Sequence, residues 1–320
     1  MSAEVTVVIP TRDRPALLAD ALASVAAQDH PPGRTIVVDD GSAEPPTVAG
    51  RGAVEVLRQA RPSGVAAARN RGLQRVATEW VAFLDDDDLW APAKLARQLA
   101  AATDAGAAFV WCSVAVVDER RRPVGLVPAA DPAGLLPRLV RTNVIGSPSA
   151  VLARTELVRG VGGFDEELGL LADWDLWLRL AVAGTGGASP EVLVAYTEHA
   201  GSMTAAARGA AELELARMAR KHAAVVAAHG GRLGGAELAR WTAGARRRSG
   251  GRAMGAGAYL AAGLRERDAG SLLRAPVALL GERLVGRLRA RRAARRLGGA
   301  SWLEPYRRKA PAPASSAPTA

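Results

Sequence analysis

Residues 79–95 read Glu-Trp-Val-Ala-Phe-Leu-Asp-Asp-Asp-Asp-Leu-Trp-Ala-Pro-Ala-Lys-Leu, and this stretch decides the fold of the 320-residue chain. The apolar run Val81–Leu84 has the length of a buried strand, and it ends in the four carboxylates Asp85–Asp88. A helical pattern is predicted to begin at Leu89, with Asp88 as its N-terminal cap. The carboxylates are therefore predicted at the carboxyl end of a strand, the edge where open α/β sheets bind ligands.

Short β-branched runs alternate with helical patterns through the first hundred residues. Strands are predicted at 5–9, 35–38, 54–57 and 80–84, and helices at 15–25, with Asp13 as candidate cap, and at 65–77. This order predicts an α/β fold with a Rossmann-like, mainly parallel sheet flanked by helices. Because the carboxyl ends of parallel strands share one edge, the polar residues that follow them should converge. They are Pro10, Thr11, Arg12, Asp39, Asp40, Arg58 and Asp85–Asp88.

The second hundred residues continue the pattern. Strands are predicted at 107–111, 114–117, 148–153 and 192–196, a tight Gly-rich loop at 160–165 and a helix at 170–183. We therefore predict one domain over residues 1–204, made of two halves, 1–100 and 101–204. Residues 205–300 are predicted to form a basic helical extension, and residues 301–320, which end in a Pro/Ala/Ser segment, a disordered tail.

The net charge of +10 is unevenly distributed along the chain. Residues 1–204 hold 19 Lys/Arg and 25 Asp/Glu, whereas residues 205–320 hold 23 and 7. A basic extension on a mildly acidic body favours a polyanionic partner. The single cysteine, Cys112, cannot form an internal disulfide, and the sequence has neither a secretory leader nor a long uncharged apolar run. We therefore expect a cytoplasmic location.

Six motifs occur in order between residues 4 and 204. They are Val8–Arg14, Val37–Ser42, Ala68–Gly72, Phe83–Trp90, Gly162–Glu166 and Asp173–Arg179. Together they resemble the family 2 glycosyltransferases of GT-A fold, in the nucleotide-diphospho-sugar transferase superfamily. The resemblance implies transfer of a sugar from a nucleotide diphosphate sugar, usually with inversion at the anomeric carbon and assisted by Mg²⁺ or Mn²⁺. Residues 1–100 would then be the nucleotide-sugar half and residues 101–204 the acceptor half.

The resemblance implies a set of donor-binding residues. Pro10, Thr11 and Arg12 would lie against the nucleoside, and Asp40 would accept a hydrogen bond from the nucleobase. Arg69, at the start of a predicted helix, would contact the base or the diphosphate. Asp-Asp-Gly-Ser is also good turn chemistry, so a purely structural role at this turn stays open.

The acidic cluster is the implied metal site. A divalent cation held by carboxylates neutralises the charge that develops on a leaving nucleoside diphosphate. By motif position we expect Asp87 to contact the metal most directly, with Asp85 or Asp86 facing the ribose or the ion. His199 is a candidate further ligand, although a lone histidine is often structural. A solvated acidic turn is the alternative for the set.

An inverting transfer needs a base that takes the proton of the acceptor hydroxyl. The family places a Glu-Asp pair at this point, and this chain has Ala172-Asp173, so only the Asp remains. Asp175 competes, but it stands four residues before Arg179, the spacing of a surface ion pair. Asp173 stands four before Trp177, and an aromatic neighbour raises the pKa of a carboxyl group, which suits a base. We assign Asp173 as the base, with a helix cap as the alternative.

The segment Arg283–Arg296 alternates leucines with arginines near helical spacing. This pattern is compatible with an interfacial helix on an anionic membrane surface, peripheral at the inner face of the cell membrane. A solvated Arg-rich helix is the alternative. Aromatic residues do not interleave with these arginines, which argues against nucleic acid.

Our leading hypothesis is a metal-dependent, inverting glycosyltransferase that acts on a cell-surface polysaccharide or glycolipid precursor, with a glycan or lipid-linked acceptor. A sugar nucleotidyltransferase is the rival enzyme, but it would need a Gly- and Lys-rich triphosphate loop where the chain has Pro10–Asp13. A non-catalytic nucleotide-sugar-binding module is the second alternative, motivated by Ala172 and by the basic extension.

Overall fold

The computed structural model describes residues 3–48, 53–198, 208–229, 232–235, 237, 240, 251–266, 269–280 and 301–307. Within them the strands are β1 (Val5–Thr11), β2 (Arg34–Asp39), β3 (Val54–Arg58), β4 (Trp80–Phe83), β5 (Leu89–Trp90), β6 (Phe109–Val117), β7 (Pro123–Val127), β8 (Val151–Arg154) and β9 (Gly186–Thr197). The helices are α1 (Pro15–Ala26), α2 (Val65–Arg75), α3 (Lys94–Ala105), α4 (Leu135–Arg141), α5 (Thr155–Gly160), α6 (Ala172–Ala183), α7 (Arg208–Lys221), α8 (Ala223–His229), α9 (Arg252–Glu266) and α10 (Ala269–Ala278). Short 3-10 helices cover Pro148–Ala150 and Ser301–Tyr306.

All the strands of the described residues belong to one sheet, in the order β3-β2-β1-β4-β8-β6-β9-β5, with β7 paired to β6. The first four strands in this order are parallel, as the alternation of strands and helices predicts. The second half is mixed, because β8 runs antiparallel to both β4 and β6 while β9 runs parallel to β6. The α/β fold class is confirmed, and the parallel part of the sheet lies within residues 1–100.

The helix predicted to begin at Leu89 begins instead at Lys94. Leu89 and Trp90 form the short strand β5, whose residues pair with Ala195 and Val194 of β9. Their backbone groups are therefore satisfied by a strand about a hundred residues downstream rather than by a helix. The prediction that Asp88 caps a helix is wrong for the same reason.

Local predictions failed at three further places. Asp13 does not cap α1, since Arg14 occupies the cap position, and the Asp13 carboxylate accepts a hydrogen bond from the Ala43 N–H at 2.8 Å. The two strands predicted at 107–117 form the single strand β6. Leu303, in the predicted tail, is buried against Leu89 and Ala195, so residues 301–306 are part of the fold.

The core lies on both faces of the sheet and includes two tryptophans of α6. Trp174 and Trp177 are buried, and their indole N–H groups donate to Leu139 O at 2.7 Å and to Gly146 O at 3.0 Å. Both hydrogen bonds tie α6 to the segment that follows β7. The helix that carries Asp173 is thus fixed by packing along one side.

Part of the C-terminal region packs against α6 and the turn before it. Leu215 and Met218 of α7 are buried in the same core cluster as Leu171 and Trp174. The Arg283–Arg296 segment, His199 and residues 308–320 lie outside the described residues. Within the described part of the chain, no helix is long and apolar enough to cross a bilayer.

Candidate active site

The acidic loop between β4 and β5 lies beside the end of β1, as the parallel topology predicts. The Thr11 hydroxyl donates to Asp86 Oδ2 at 2.7 Å, and Arg14 Nη1 lies 3.3 Å from Asp86 Oδ1. Burial raises the pKa of Asp86 to about 6, and the Asp87 charge adds to the rise, while the Thr11 hydrogen bond opposes it. Asp86 therefore links the loop to β1 from a nearly inaccessible position.

The Asp87 carboxylate is partly exposed, whereas its backbone carbonyl is hydrogen-bonded to neighbouring side chains. Its side chain is 19% exposed, and Oδ2 lies 3.0 Å from Arg14 Nη1. Its carbonyl oxygen accepts hydrogen bonds from Arg121 Nη1 at 2.6 Å and from the Thr197 hydroxyl at 2.5 Å. These bonds hold the backbone of Asp87, and Arg14 holds its carboxylate.

Asp85 faces the pocket and pairs with α2. Its Oδ1 accepts a hydrogen bond from Arg69 Nη2 at 2.5 Å, and its N–H donates to Ser149 Oγ at 3.1 Å. The Arg69 guanidinium is itself nearly buried and lies 5.2 Å from the centre of the Phe164 ring. Three of the sequence motifs therefore meet at this ion pair.

Asp88 braces the loop inside the protein. It is fully buried, and its Oδ1 accepts from the Thr197 N–H at 3.0 Å while the Ser147 hydroxyl donates to Oδ2 at 3.3 Å. Burial raises its pKa well above the ordinary value, and the nearby charges of Asp87 and Asp85 add to the rise. The fourth carboxylate thus ties the loop to β9 and to the segment before β8.

The predicted nucleoside contacts lie at the ends of β1 and β2. Pro10 and Thr11 are buried in β1, whereas the Arg12 side chain is 55% exposed next to Asp13. The Asp40 N–H donates to Thr11 O at 2.9 Å, which brings the two strand ends together. The Asp40 carboxylate accepts hydrogen bonds from the loop before α2, where the donors are Gln59 Nε2, Ser63 N–H, the Ser63 hydroxyl and Gly64 N–H.

Asp39 is a turn residue in this structure. It is fully buried, its Oδ1 accepts from the Ser42 N–H at 2.9 Å, and its Oδ2 lies 3.6 Å from Arg58 Nε. This Asx-type bond closes the turn after β2. Asp40 is the more accessible member of the pair, and it borders the same sheet edge as the acidic loop.

A cavity of about 390 Å³ opens between the acidic loop and α6. Arg69, Asp85 and Asp173 all line it, although they are separated by up to about a hundred residues in sequence. Its other walls come from the β6–β7 hairpin, from 143–148 and from the turn before α6, and include Val114, Val116, Val127, Asn143, Ile145, Leu170, Leu171, Tyr196 and Glu237. Residues from both predicted halves, 1–100 and 101–204, therefore line the cavity.

Asp173 lies in the first turn of α6, on the wall of this cavity. Its Oδ1 accepts from the Trp174 N–H at 2.6 Å, and Asn143 Nδ2 lies 3.4 Å from Oδ2. Burial raises the pKa of Asp173 to about 6, against the lowering effects of the Trp174 N–H and of the Arg69 charge. The helix begins at Ala172, so Asp173 does not occupy its cap position.

Asp175, two residues further along, has the opposite surroundings. The predicted pair with Arg179 forms, with Arg179 Nη2 2.6 Å from Asp175 Oδ2, but the description as a surface pair is wrong. Asp175 is fully buried, and it also accepts from Lys221 Nζ at 3.0 Å and from His222 Nε2 at 2.8 Å. These partners outweigh the effect of burial and lower the pKa of Asp175 to about 2. Asp175 is a structural anchor.

The acidic loop has the one or two carboxylates that a divalent cation needs when its other ligands come from a bound substrate. Among the described residues, no group of three or more His, Cys, Asp and Glu side chains is arranged to hold an ion. Mg²⁺ is usually held by one or two carboxylates together with substrate phosphates, so a complete protein cage is not required. Asp85 and Asp87 have partly exposed carboxylates, 22% and 19%, and both are already paired with cationic groups. The predicted third ligand, His199, lies outside the described residues.

Sequence reasoning missed two arginines of the site. Arg14 sits between Asp86 and Asp87, and the nearly inaccessible Arg121 holds the Asp87 carbonyl from the turn between β6 and β7. Arg14 belongs to the Val8–Arg14 motif, so its position was a usable signal. Arg121 lies within a run of three arginines that resembles a solvated turn, and no local pattern marks it as buried.

The fold and the site define a class: the structure is a GT-A fold, with a nucleotide-type parallel half and a second mixed half around one shared cavity. Residues 6–149 match the family described as Glycosyl transferase family 2. The match covers 144 of the 320 residues, and this part of the chain is therefore similar to the family 2 glycosyltransferases, as the motifs predicted.

Proteins with related sequences and folds agree with this classification. The pre-mycofactocin glycosyltransferase of Mycobacterium tuberculosis is 36% identical over 191 residues, which are 57% of this chain and 40% of that protein. Succinoglycan biosynthesis protein ExoW of Rhizobium meliloti is 38% identical over 122 residues, 35% of this chain and 38% of that protein. This chain thus matches two fifths or less of the length of each of these two relatives.

A solved structure extends the likeness of fold to nearly the whole chain. The mannosyltransferase PcManGT from Pyrobaculum calidifontis, solved in complex with GDP-Man and Mn²⁺, superposes with a TM-score of 0.55 at 21% identity. The match covers 96% of this chain and 88% of that one.

Proposed function

We propose that this protein is a metal-dependent, inverting glycosyltransferase that moves a sugar from a nucleotide diphosphate sugar to an acceptor hydroxyl. One observation carries the proposal: Asp85 and Arg69, on the donor side, and Asp173, on the acceptor side, line a single cavity. A donor-binding group and a base that line the same cavity are what a single displacement at the anomeric carbon requires.

The donor side has the groups needed to hold a nucleoside diphosphate. Pro10, Thr11, Arg12 and Asp40 are our candidates for contact with the nucleoside, because the ends of β1 and β2 lie side by side. Arg69 lies next to Asp85, where its guanidinium can bind a diphosphate oxygen bidentately. Mg²⁺ or Mn²⁺, when bound, would neutralise charge on the leaving diphosphate, and Asp87 with Asp85 would hold it, His199 being a candidate further ligand.

The acceptor side supplies the base. As the acceptor oxygen forms a bond to the anomeric carbon, the bond from that carbon to the diphosphate oxygen breaks, and Asp173 takes the hydroxyl proton. A carboxyl group whose pKa is near 6 is mostly ionised at neutral pH and remains basic enough for this step. The Trp174 N–H and Asn143 orient the Asp173 carboxylate.

We further propose that the acceptor is a glycan or a lipid-linked precursor of a cell-surface polysaccharide or glycolipid, handled at the cytoplasmic face of the membrane. A related protein named for succinoglycan biosynthesis supports the acceptor class. The basic segment Arg283–Arg296 supplies the charge for a peripheral association with anionic lipid. Replacement of its arginines by glutamine should abolish sedimentation with anionic vesicles, and unchanged sedimentation would refute the membrane proposal.

The test of the activity is a donor panel. The purified protein is incubated with Mn²⁺ and UDP-, GDP- or dTDP-sugars, with and without chelator, and release of nucleoside diphosphate is followed. We expect release from one donor class that chelator abolishes and Mn²⁺ restores. Donor binding without release in the presence of acceptor extracts would favour a non-catalytic module. Release of pyrophosphate from a nucleoside triphosphate and a sugar phosphate would identify a nucleotidyltransferase.

A further inference from the structure

The turn that leads into α6 is held by a single carboxylate from the C-terminal extension. Glu214 of α7 accepts hydrogen bonds from three consecutive backbone N–H groups, those of Gly169 at 3.0 Å, Leu170 at 3.0 Å and Leu171 at 2.9 Å. The same three residues line the cavity next to Asp173. A residue more than forty positions downstream therefore fixes one wall of the site.

Helix α6 has no local cap of its own. Its cap residue is Leu171, which makes no side-chain capping bond, and its first residue is Ala172. The amide groups at a helix start need acceptors, and a negative charge there is favoured by the helix dipole. Of these amide groups, Glu214 accepts the N–H of the cap residue Leu171, and its other bonds go to the turn that precedes the helix; all are of the charge-assisted kind.

The contact belongs to a continuous docking face. Residues 214, 217 and 221 recur at the spacing of one helix face, and each pairs with the segment 165–175. Arg217 pairs with Glu167, and Lys221 Nζ lies 2.6 Å from Asp165 and 3.0 Å from Asp175. The face thus contacts the turn before Asp173 through Glu214, and it contacts Asp175, after Asp173, through Lys221.

We propose that Glu214 is a positioning residue for the base, holding the turn 169–171 so that Asp173 faces the acceptor hydroxyl. The inference rests on the proposed function, because it assigns Glu214 a role in that reaction. Glu214 does not line the cavity, so its effect on the reaction would pass through the backbone of 169–171. Misplacement of a reacting group by about 1 Å costs up to about 100-fold in rate, so loss of the contact should be visible in turnover.

Three variants of the full-length protein test this role. Glu214→Ala removes the acceptor, Glu214→Gln keeps the side-chain size and one acceptor oxygen, and Arg220→Ala removes an exposed charge from the same helix as the control. For each we measure hydrogen exchange of the 169–171 amides, thermal unfolding, kcat for transfer, and KM and Kd for the donor.

We expect faster exchange at 169–171 in Glu214→Ala, and kcat lowered by about 10-fold or more with donor Kd unchanged. Glu214→Gln should fall between Glu214→Ala and the wild type, and Arg220→Ala should match the wild type. Faster exchange with unchanged kcat, in protein that remains folded, would leave Glu214 only a stabilising role and overturn the proposal. Unchanged exchange would overturn it as well.

Two failures are told apart by the wild type. If the wild-type protein releases no nucleoside diphosphate from any donor, the proposed function fails, and the exchange experiment still decides whether Glu214 holds the turn. If the wild type is active and Glu214→Ala retains its kcat, only the present inference fails. Should Glu214→Ala not fold, the same comparisons in Glu214→Gln give the answer.

Discussion

The acidic loop 85–88 and the first turns of α6 solve the same problem in different ways. Each places a carboxylate on the wall of one cavity, Asp85 in the loop and Asp173 in α6, and each also contains a fully buried one, Asp88 and Asp175. In the loop, the counter-charges are Arg14, at the start of α1, and Arg69 of α2. In α6, the counter-charges of Asp175 are Arg179 of the same helix and Lys221 of α7.

Two carboxylates of α6 show how much the surroundings decide. Asp173 and Asp175 are two residues apart on one helix, yet the pKa of the first is raised to about 6 and that of the second is lowered to about 2. Asp173 has burial with few compensating donors, whereas Asp175 has three cationic or donor partners within hydrogen-bond distance. One suits proton transfer and the other suits anchoring.

The largest effect should follow from removal of the base. Asp173→Asn keeps the size and the hydrogen bond from the Trp174 N–H, but it cannot accept a proton. We expect kcat for transfer to fall by about 1,000-fold while the donor Kd is unchanged. Steady-state kinetics and calorimetry measure the two quantities, with the exposed Asp104→Asn as control. Loss of donor binding would mean that the base lies elsewhere.

Removal of the anchor should act on stability. Asp175→Asn leaves Arg179 and Lys221 without their buried counter-charge, so we expect the free energy of unfolding to fall by about 3 kcal/mol. Denaturant titration measures the loss. The matched control is Asp118→Asn, at the same i, i+4 spacing in the more exposed pair with Arg122, which should lose less than about 1 kcal/mol.

The same variant has a pH signature. The pKa of Asp175 is lowered to about 2 by folding, from an ordinary value of about 4. Its contribution to stability is therefore complete above about pH 4 and is lost as the pH falls towards 2. The difference between wild type and Asp175→Asn should narrow over that range, and a constant difference would contradict the assignment.

On the donor side, Asp87→Asn should weaken metal binding rather than lower the stability of the fold. Loss of one charged ligand should lower the apparent Mn²⁺ affinity in the presence of donor by about 100-fold. Titration of activity with Mn²⁺ measures this affinity, and Asp104→Asn is again the control. Asp88→Asn removes a buried carboxylate that holds the loop, so it should lower the free energy of unfolding instead. Equal Mn²⁺ affinities in the wild type and in Asp87→Asn would refute these separate roles of Asp87 and Asp88.

The smallest effect is the dependence of transfer on pH. Because the pKa of Asp173 is raised to about 6, the group is protonated below that pH and cannot act as a base. With saturating donor, kcat should fall about 10-fold per unit below pH 6. Asn143→Ala removes a hydrogen bond that lowers this pKa, so the break should move to higher pH. A flat profile down to pH 5 would contradict the role of Asp173.

Sequence reasoning succeeded where the topology of the sheet alone determines which residues lie close together. The convergence of Thr11, Asp40, Arg58 and Asp85 was predictable, because parallel strands direct their carboxyl ends to one edge. The pairing of Asn70 with the Gly-Gly-Phe motif was not predictable. Asn70 Oδ1 accepts from the Phe164 N–H at 2.8 Å across 94 residues, and a Cβ on Gly163 would lie 2.6 Å from that oxygen. Gly163 thus has two reasons to be glycine, its positive φ of 68° and the closeness of Asn70, and the second depends on a distant neighbour.

Predictions from a local rule were wrong where a residue distant in the sequence became the partner. Asp88 has the residue type and position of a helix cap, but the chain after it pairs with β9, and the carboxylate accepts the Thr197 N–H. Asp175 and Arg179 have the spacing of a surface pair, but α7 covers them. In each case the residue types and their spacing fit a local rule, but the sequence did not show that a distant part of the chain buries them.

Local patterns and order along the chain thus determine the class of this protein: the strand that ends in four carboxylates, the alternation of strands and helices, and the motifs of a family 2 domain. Tertiary structure decides what each carboxylate does. Burial and the number of nearby donors set the pKa of Asp173 and of Asp175, and for Asp175 they depend on Lys221 of α7, which no local pattern connects to α6. A carboxyl group has its chemistry from its neighbours in space, and only folding brings those neighbours together.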